Sequence, residues 1–379
     1  MVGVVSRPNT QEKLEILSAD AQYDLACACS TSKEERRTRG DDGKWVYPVT
    51  LPRGGKSVLF KTLLSNVCSN DCKYCPLREQ QDIRRCSLAP EETAKVFLDY
   101  YNRRKVFGLF LSSGVIGTPD ASMDRLNSVA GLLRRKHQFK GYIHLKIIPG
   151  ASDAAVEQAV SLASAVSLNI ETPGEQHLSR LSQKKNYIRD MINPIKLISR
   201  LTERGSRYQR VKQTTQFIVG AAGEQDAQIV KYMFGLYDRL RMHRVYFSAY
   251  QKGLGDESIA GEQVESSDPV DALMREHRLY QVDFLLRKYG FEESDIAFES
   301  NGNLSMAVDP KETWATNHPE FYPVDINRAP KASLLRVPGL GPVTVKRILE
   351  RRKQGRLHSM DDVGKVGIRL AKAREYVTF

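Results

Sequence analysis

Residues 57–75, SVLFKTLLSNVCSNDCKYC, decide the fold of this 379-residue chain. The first half is a run of β-branched, aromatic and aliphatic residues, short enough to be one buried strand. The second half sets three thiols, Cys68, Cys72 and Cys75, at gaps of three and two residues, with Tyr74 before the last. Thiolates are the usual ligands of iron–sulfur clusters, and four of them complete a four-iron cube. Three leave one iron without a protein ligand and open to an exogenous molecule. A structural zinc site is the alternative, with Cys86 as a fourth thiol. Zinc knuckles come as close pairs joined by a spacer; Cys86 stands alone, so the spacing favours the cluster.

Outward from this stretch the chain alternates between strand-like and helical runs. Strands are expected at GLFLSS (108–113), YIHLKII (142–148), AVSLNIE (165–171), TQFIVGA (215–221) and RVYFSAY (244–250). Between them lie amphipathic runs such as PEETAKVFLDYYNRRK, DASMDRLNSVAGLLRRKH, SDAAVEQAVSLA and EQDAQIVKYMFGLYDRL. Such alternation argues for parallel strands joined by crossover helices, and six units suit an α/β fold, a partial (β/α)6 TIM-like barrel. In barrels the functional residues gather where strands end. That rule selects the three cysteines, then Ser112, Ser113 and Gly114, then His144 and Lys146, then Asn169 and Glu171, then Gly220 and Glu224, and finally Tyr246, Ser248 and Tyr250. Asn169 and Glu171, two apart on a strand, would share a face.

The cysteine spacing, with the aromatic before the third thiol, resembles the signature of the radical S-adenosylmethionine (radical-SAM) superfamily. The resemblance implies a [4Fe–4S] cluster on Cys68, Cys72 and Cys75, whose fourth iron chelates the amino and carboxylate groups of S-adenosylmethionine. It implies reductive cleavage of that cofactor to a 5′-deoxyadenosyl radical, and a flavodoxin or ferredoxin-type electron donor. It assigns ribose contacts to Asn169 and Glu171, adenine contacts to Tyr74 and the Gly220 region, and the methionine amine to Ser112 and Ser113. The chain departs from the pattern twice. Ser112, Ser113 and Gly114 stand where two glycines and an acid are usual, and Gln216 stands where the fifth-strand glycine is expected. His144, Lys146, Lys184 and Lys185 are further candidates for a carboxylate or phosphate, although a lone histidine on a strand is more often structural.

The second strong signal is DINRAPKASLLRVPGLGPVTVKRILERRKQGRLHSMDDV, residues 325–363. Asn327 is expected to cap a helix ending near Val337, PGLGP to make a tight hairpin, and a second helix to run from Pro342 to before Gly355. Gly339 and Gly341 let backbone N–H groups approach a phosphate, aided by the helix dipole, with Lys346 and Arg347 following. This resembles a helix-hairpin-helix DNA-binding module, which would make the C-terminal domain small and all-α. Such modules hold the phosphodiester backbone without reading sequence. Residues 325–379 carry 13 Lys and Arg against 5 Asp and Glu, so most of the chain's net charge of +12 sits there, the footprint of a polyanion partner.

Composition is globular, with 41% apolar and 27% charged residues. Six cysteines in so long a chain do not form a disulfide scaffold. No signal peptide or membrane span is expected, which points to the cytoplasm and no membrane partner. The expected divisions are a lead-in with one helix (1–56), the barrel (57–290), a connector (291–324) and the helix-hairpin-helix domain (325–379). The whole pattern from Leu14 onward resembles one bacterial radical-SAM family named for DNA modification or repair, associated with a partner resembling uracil-DNA glycosylases. The resemblance implies radical chemistry on DNA. The alternatives are an RNA-modifying radical-SAM enzyme and a non-catalytic iron–sulfur protein that binds DNA.

Overall fold

The computed structural model describes residues 8–23, 45–50, 55–264 and 269–379. Cys27, Cys29 and the charged stretch 30–44 lie outside the described residues. Contacts divide the chain into two compact units, one of residues 1–224 and 235–273, the other of 225–234 and 274–379.

The first unit is built on a curled sheet of seven strands in sequential order: β1 (Val46–Thr50), β2 (Lys56–Leu63), β3 (Gly108–Ser112), β4 (Tyr142–Lys146), β5 (Ala165–Ser167), β6 (Lys212–Val219) and β7 (Arg244–Ala249). From β2 to β7 every pairing is parallel. The crossovers carry α2 (Pro90–Asn102), α3 (Pro119–Gly131), α4 (Asp153–Leu162), and α5 (Glu175–Leu181) with α6 (Asn193–Leu201); between β6 and β7 in the chain comes α7 (Asp226–Leu240), whose residues 226–234 belong to the second unit, and α1 (Thr10–Asp20) precedes the sheet. The partial (β/α)6 barrel is therefore present. The helices begin where the sequence supplies caps: Thr118 Oγ1 accepts from Ala121 N at 3.1 Å, and Pro90 and Pro119 occupy first-turn positions. Their inner faces repeat at helical spacing. Met123, Leu126, Val129 and Ala130 of α3 are fully buried, and each large apolar side chain there contributes about 1.5–3 kcal/mol by leaving water.

Two local expectations change. The lead-in is more than one helix, because β1 adds an antiparallel edge strand to β2, with Pro48 opposite Val58. Proline cannot donate to a ladder and is tolerated at an edge, which hides this strand from pattern reading. β5 is also shorter than AVSLNIE. It ends at Ser167, and Glu171 returns to the sheet only as an isolated bridge to Phe217. Inside the barrel, register aligns Lys61, Phe110 and His144 in one row. His144 is a satisfied core residue, with its ring nitrogens 2.9 Å from Ser167 Oγ and 3.3 Å from Tyr142 Oη.

The first unit ends with α8 (Ala260–Gln263) and the start of α9 (Pro269–Phe284). The second unit continues through α10 (Pro310–Asn317), α11 (Lys331–Arg336), α12 (Pro342–Arg351) and α13 (Ile368–Ala373), with β8 (Val324–Asp325) pairing parallel to β9 (Val377–Thr378). Ile326, Leu334, Val337, Val345, Ile348 and Val363 form its core. Asn327 does not cap α11. Its amide instead pairs with the backbone of Leu357, donating to the carbonyl and accepting from the N–H, each at 2.9 Å, and Pro330 holds the N-cap position.

Candidate cluster and cofactor site at the barrel mouth

The cysteine loop leaves the C-terminal end of β2 and is held by many short-range bonds. Ser69 N donates to Val115 O at 2.9 Å and Gly114 N to Ser65 O at 2.7 Å. The Arg85 guanidinium donates to the carbonyls of Asn66, Leu77, Arg78 and Gln81. Asp71 accepts from Gln183 N at 2.8 Å and from Ser182 Oγ, tying the loop to the end of α5. Gly114 is required by sterics: a Cβ there would lie 2.3 Å from Val67 O and 3.2 Å from Cys68 Cβ.

Cys68, Cys72 and Cys75 line one cavity at the barrel mouth, together with Tyr74, Ser112, Ser113, Asn169 and Glu171. Lys146, Lys185, Gln216, Ser248 and Tyr250 complete its polar wall. Gly220 and His144 are not among the lining residues. Gly220, at φ 93°, makes a turn whose N–H donates to Glu224. Lys184 points away to Ser69 O and Glu79. Cys86 lies outside the cavity, its N–H donating to Asn66 Oδ1 at 2.7 Å.

The electrostatics mark this as a place built for charge. Lys185 Nζ lies 3.8 Å from Glu171 Oε1, and both side chains are buried. Burial works against the lysine's charge, but the Cys72 thiol and Glu171 outweigh it and hold Lys185 above its usual range. Burial raises the thiols of Cys72 and Cys75, with Lys185 pulling the other way. Burial and the Glu171 charge push the Tyr74 hydroxyl well up.

Three observations test whether a cluster and a sulfonium nucleoside fit. A four-iron cube takes one thiolate per iron, so its ligands face a shared space, as these three do. Among the described residues, no three His, Cys, Asp or Glu side chains are arranged to hold a single metal ion. Two buried oxygens of the cavity wall, Ser113 Oγ and Glu171 Oε2, have no hydrogen-bond partner, and buried polar groups are rarely left so. One is suited to an ammonium donor and the other to a hydroxyl donor. Glu171 also sits at φ 63°, a left-handed conformation uncommon outside glycine, which costs about 1–3 kcal/mol and persists where surrounding structure imposes it. The residues fit the group.

In the second unit, Gly339 (φ 83°) turns the hairpin so tightly that a Cβ would meet Arg369 O at 2.1 Å. Gly341 holds the N-cap position of α12. Lys346 is exposed, 3.7 Å from Glu350, and the exposed Arg347 reaches toward Val363 O at 3.4 Å. Arg352 is structural, donating to Ala329 O at 2.7 Å. Lys311, unnoticed in the sequence, supports the hairpin by donating to Leu340 O at 2.6 Å.

Comparison with known proteins agrees with this geometry. Residues 62–234 match the family model of the Radical SAM superfamily, and residues 320–368 that of the helix-hairpin-helix motif. No curated protein matches. Solved structures similar to this chain include the FeFe-hydrogenase maturase HydG from Carboxydothermus hydrogenoformans, at 16% identity and TM-score 0.44 over 57% of this chain and 50% of that one. Methylornithine synthase matches at 14% identity and TM-score 0.46 over 60% of this chain and 61% of that one. The chain thus spans half the length of HydG. Residues 62–234 thus match a radical SAM superfamily domain, a superfamily whose cofactors are a [4Fe–4S] cluster and S-adenosylmethionine, and residues 320–368 match a helix-hairpin-helix motif.

Proposed function

We propose that this enzyme acts on DNA, in modification or repair, and that the helix-hairpin-helix motif binds the DNA backbone. Cys68, Cys72 and Cys75 would hold the cluster, and Ser113, Asn169, Glu171 and Tyr74 the cofactor. Bound there, the pair would supply radical hydrogen-abstraction chemistry. The chain's own part is to exclude water and to fix what enters. Gln216, Ser248 and Lys146, whose ammonium donates to Asn169 Oδ1, line the cavity wall beside the proposed cofactor space. Chemistry on a duplex would require the nucleotide to swing out of the stack into this mouth.

The observation that carries the reading is the glycine hairpin Gly339–Gly341 leading into α12, followed by exposed Lys346 and Arg347 in a segment of net positive charge. A uracil-DNA-glycosylase-like protein and a flavodoxin or ferredoxin-type donor remain the partners this reading calls for. The test is competition between DNA and RNA oligonucleotides of equal length for the reconstituted enzyme, with 5′-deoxyadenosine release measured alongside. DNA should bind in preference and accelerate release. Preference for RNA on both readouts would transfer the activity to RNA.

A further inference from the structure

We infer that the barrel unit carries its own nucleic-acid track, an open groove along the outer face of α6 that leads to the cysteine loop. The inference rests on the nucleic-acid reading above and adds a second contact surface to it. At one end Lys184, Arg189 and Asp190 share a recess with Ser69 and Asn70 of the loop. Gly150, Arg189 and Asp190 also line a longer groove, so the two are continuous. Along that groove stand Lys196 and Arg200 of α6, Arg204 in the turn after it, and Arg239 and Arg241 at the end of α7. All five are exposed, and none is in an ion pair among the described residues.

The charge distribution supports this. Residues 196–212 hold six Lys and Arg against one Glu. Their net +5, with the net +8 of residues 325–379, exceeds the +12 of the whole chain, so the rest of the protein is slightly acidic. The net positive excess therefore resides in these two segments. A merely solvated helix face interleaves opposite charges four residues apart, whereas Lys196 and Arg200 of α6 are like charges at that spacing and repel, with Arg204 following in the turn beyond the helix. The dipole at the C-terminus of α6 favours Arg200 but does not account for Arg239 and Arg241, which line the same groove. A polyanion lying in the groove relieves the repulsion among all five. Four of the five cations are arginine, whose planar fork matches phosphate oxygens. The acids in the groove do not cancel this: Asp190 is taken by Arg189 at 2.6 Å, leaving Asp153 and Glu203. The ligand class is a phosphodiester backbone, read by charge without regard to sequence.

The test measures how the affinity of the full chain for a fluorescein-labelled single-stranded DNA of about 30 nucleotides falls with salt. The variants are Arg200→Ala/Arg204→Ala/Arg239→Ala and, as a control for the motif, Lys346→Ala/Arg347→Ala. The groove variant should lower the slope of log affinity against log salt by about two and weaken binding roughly 10- to 100-fold. Arg→Lys at the same three positions should keep the slope, since charge carries it. An unchanged slope in the groove variant, with loss in the motif variant, overturns the track alone. A wild-type chain that binds no oligonucleotide overturns the nucleic-acid reading as well. Polyglutamate competing as well as DNA, and losing its hold in the groove variant, would assign the groove to an acidic protein and overturn the proposal.

Discussion

At the scale of single residues, the groups proposed to hold cofactor line the cavity, and other groups hold the loop. Cys72→Ser should abolish the charge-transfer absorbance of the reconstituted cluster and the release of 5′-deoxyadenosine, while DNA affinity largely survives. Gly114 is the sharper test of the loop. A methyl group there would have to displace the Val67 carbonyl and would press on Cys68 Cβ, and overpacking of this kind costs about 1–3 kcal/mol. Gly114→Ala should therefore lower both the melting temperature and the iron bound per chain; full iron loading at unchanged stability would contradict the packing argument. The cysteines stand out in the sequence by their spacing, and the structure brings all three to one cavity. Glu171 was legible as a site residue for an incomplete reason. It reaches the cavity through a left-handed kink beyond β5, and alternation along a strand plays no part. Gly114 and Arg85 carry no pattern, since what they do depends on chain segments distant in sequence.

At the scale of elements, β2 to β7 were legible because strand–helix alternation has a strong period. β1 was not, because Pro48 and the neighbouring charged stretch mask it. In the second unit the hairpin and α12 were legible from PGLGP, while the buried prop under the hairpin was not. Burial pushes the Lys311 ammonium down to about 7 from the ordinary 10.5. The folded chain therefore releases this proton near pH 7 and the unfolded chain only near pH 10.5. Unfolding takes up a proton between those values, so this group's contribution to stability rises with pH across that window. Melting temperatures measured from pH 7 to 10 should climb more steeply for the wild type than for Lys311→Met, and parallel curves would remove Lys311 from the account. For the exposed part of the motif, Lys346→Ala/Arg347→Ala should lower the salt slope of DNA binding by about one per lost phosphate contact and leave cofactor cleavage without DNA unchanged. An equal slope in that variant would take the motif out of DNA binding.

At the scale of the whole molecule, the chain carries a barrel cavity lined by three cysteines and basic surfaces that we propose hold a polyanion. Among the described residues no helix is long and apolar enough to cross a membrane. The architecture was legible because two independent signals, a thiol triplet after a strand and a glycine hairpin before a basic helix, each name a module. The substrate was less legible, because backbone contacts position a nucleic acid without specifying which atom reacts. The most direct measurement is isotope transfer. The anaerobically reconstituted enzyme would be reduced with S-adenosylmethionine and perdeuterated-sugar DNA, and the 5′-deoxyadenosine analysed by mass. Deuterium in that product is the expected result and places the abstracted hydrogen on the nucleic acid. Rapid formation of 5′-deoxyadenosine that DNA neither accelerates nor labels, with either sugar- or base-deuterated strands, would contradict the claim that DNA is the substrate.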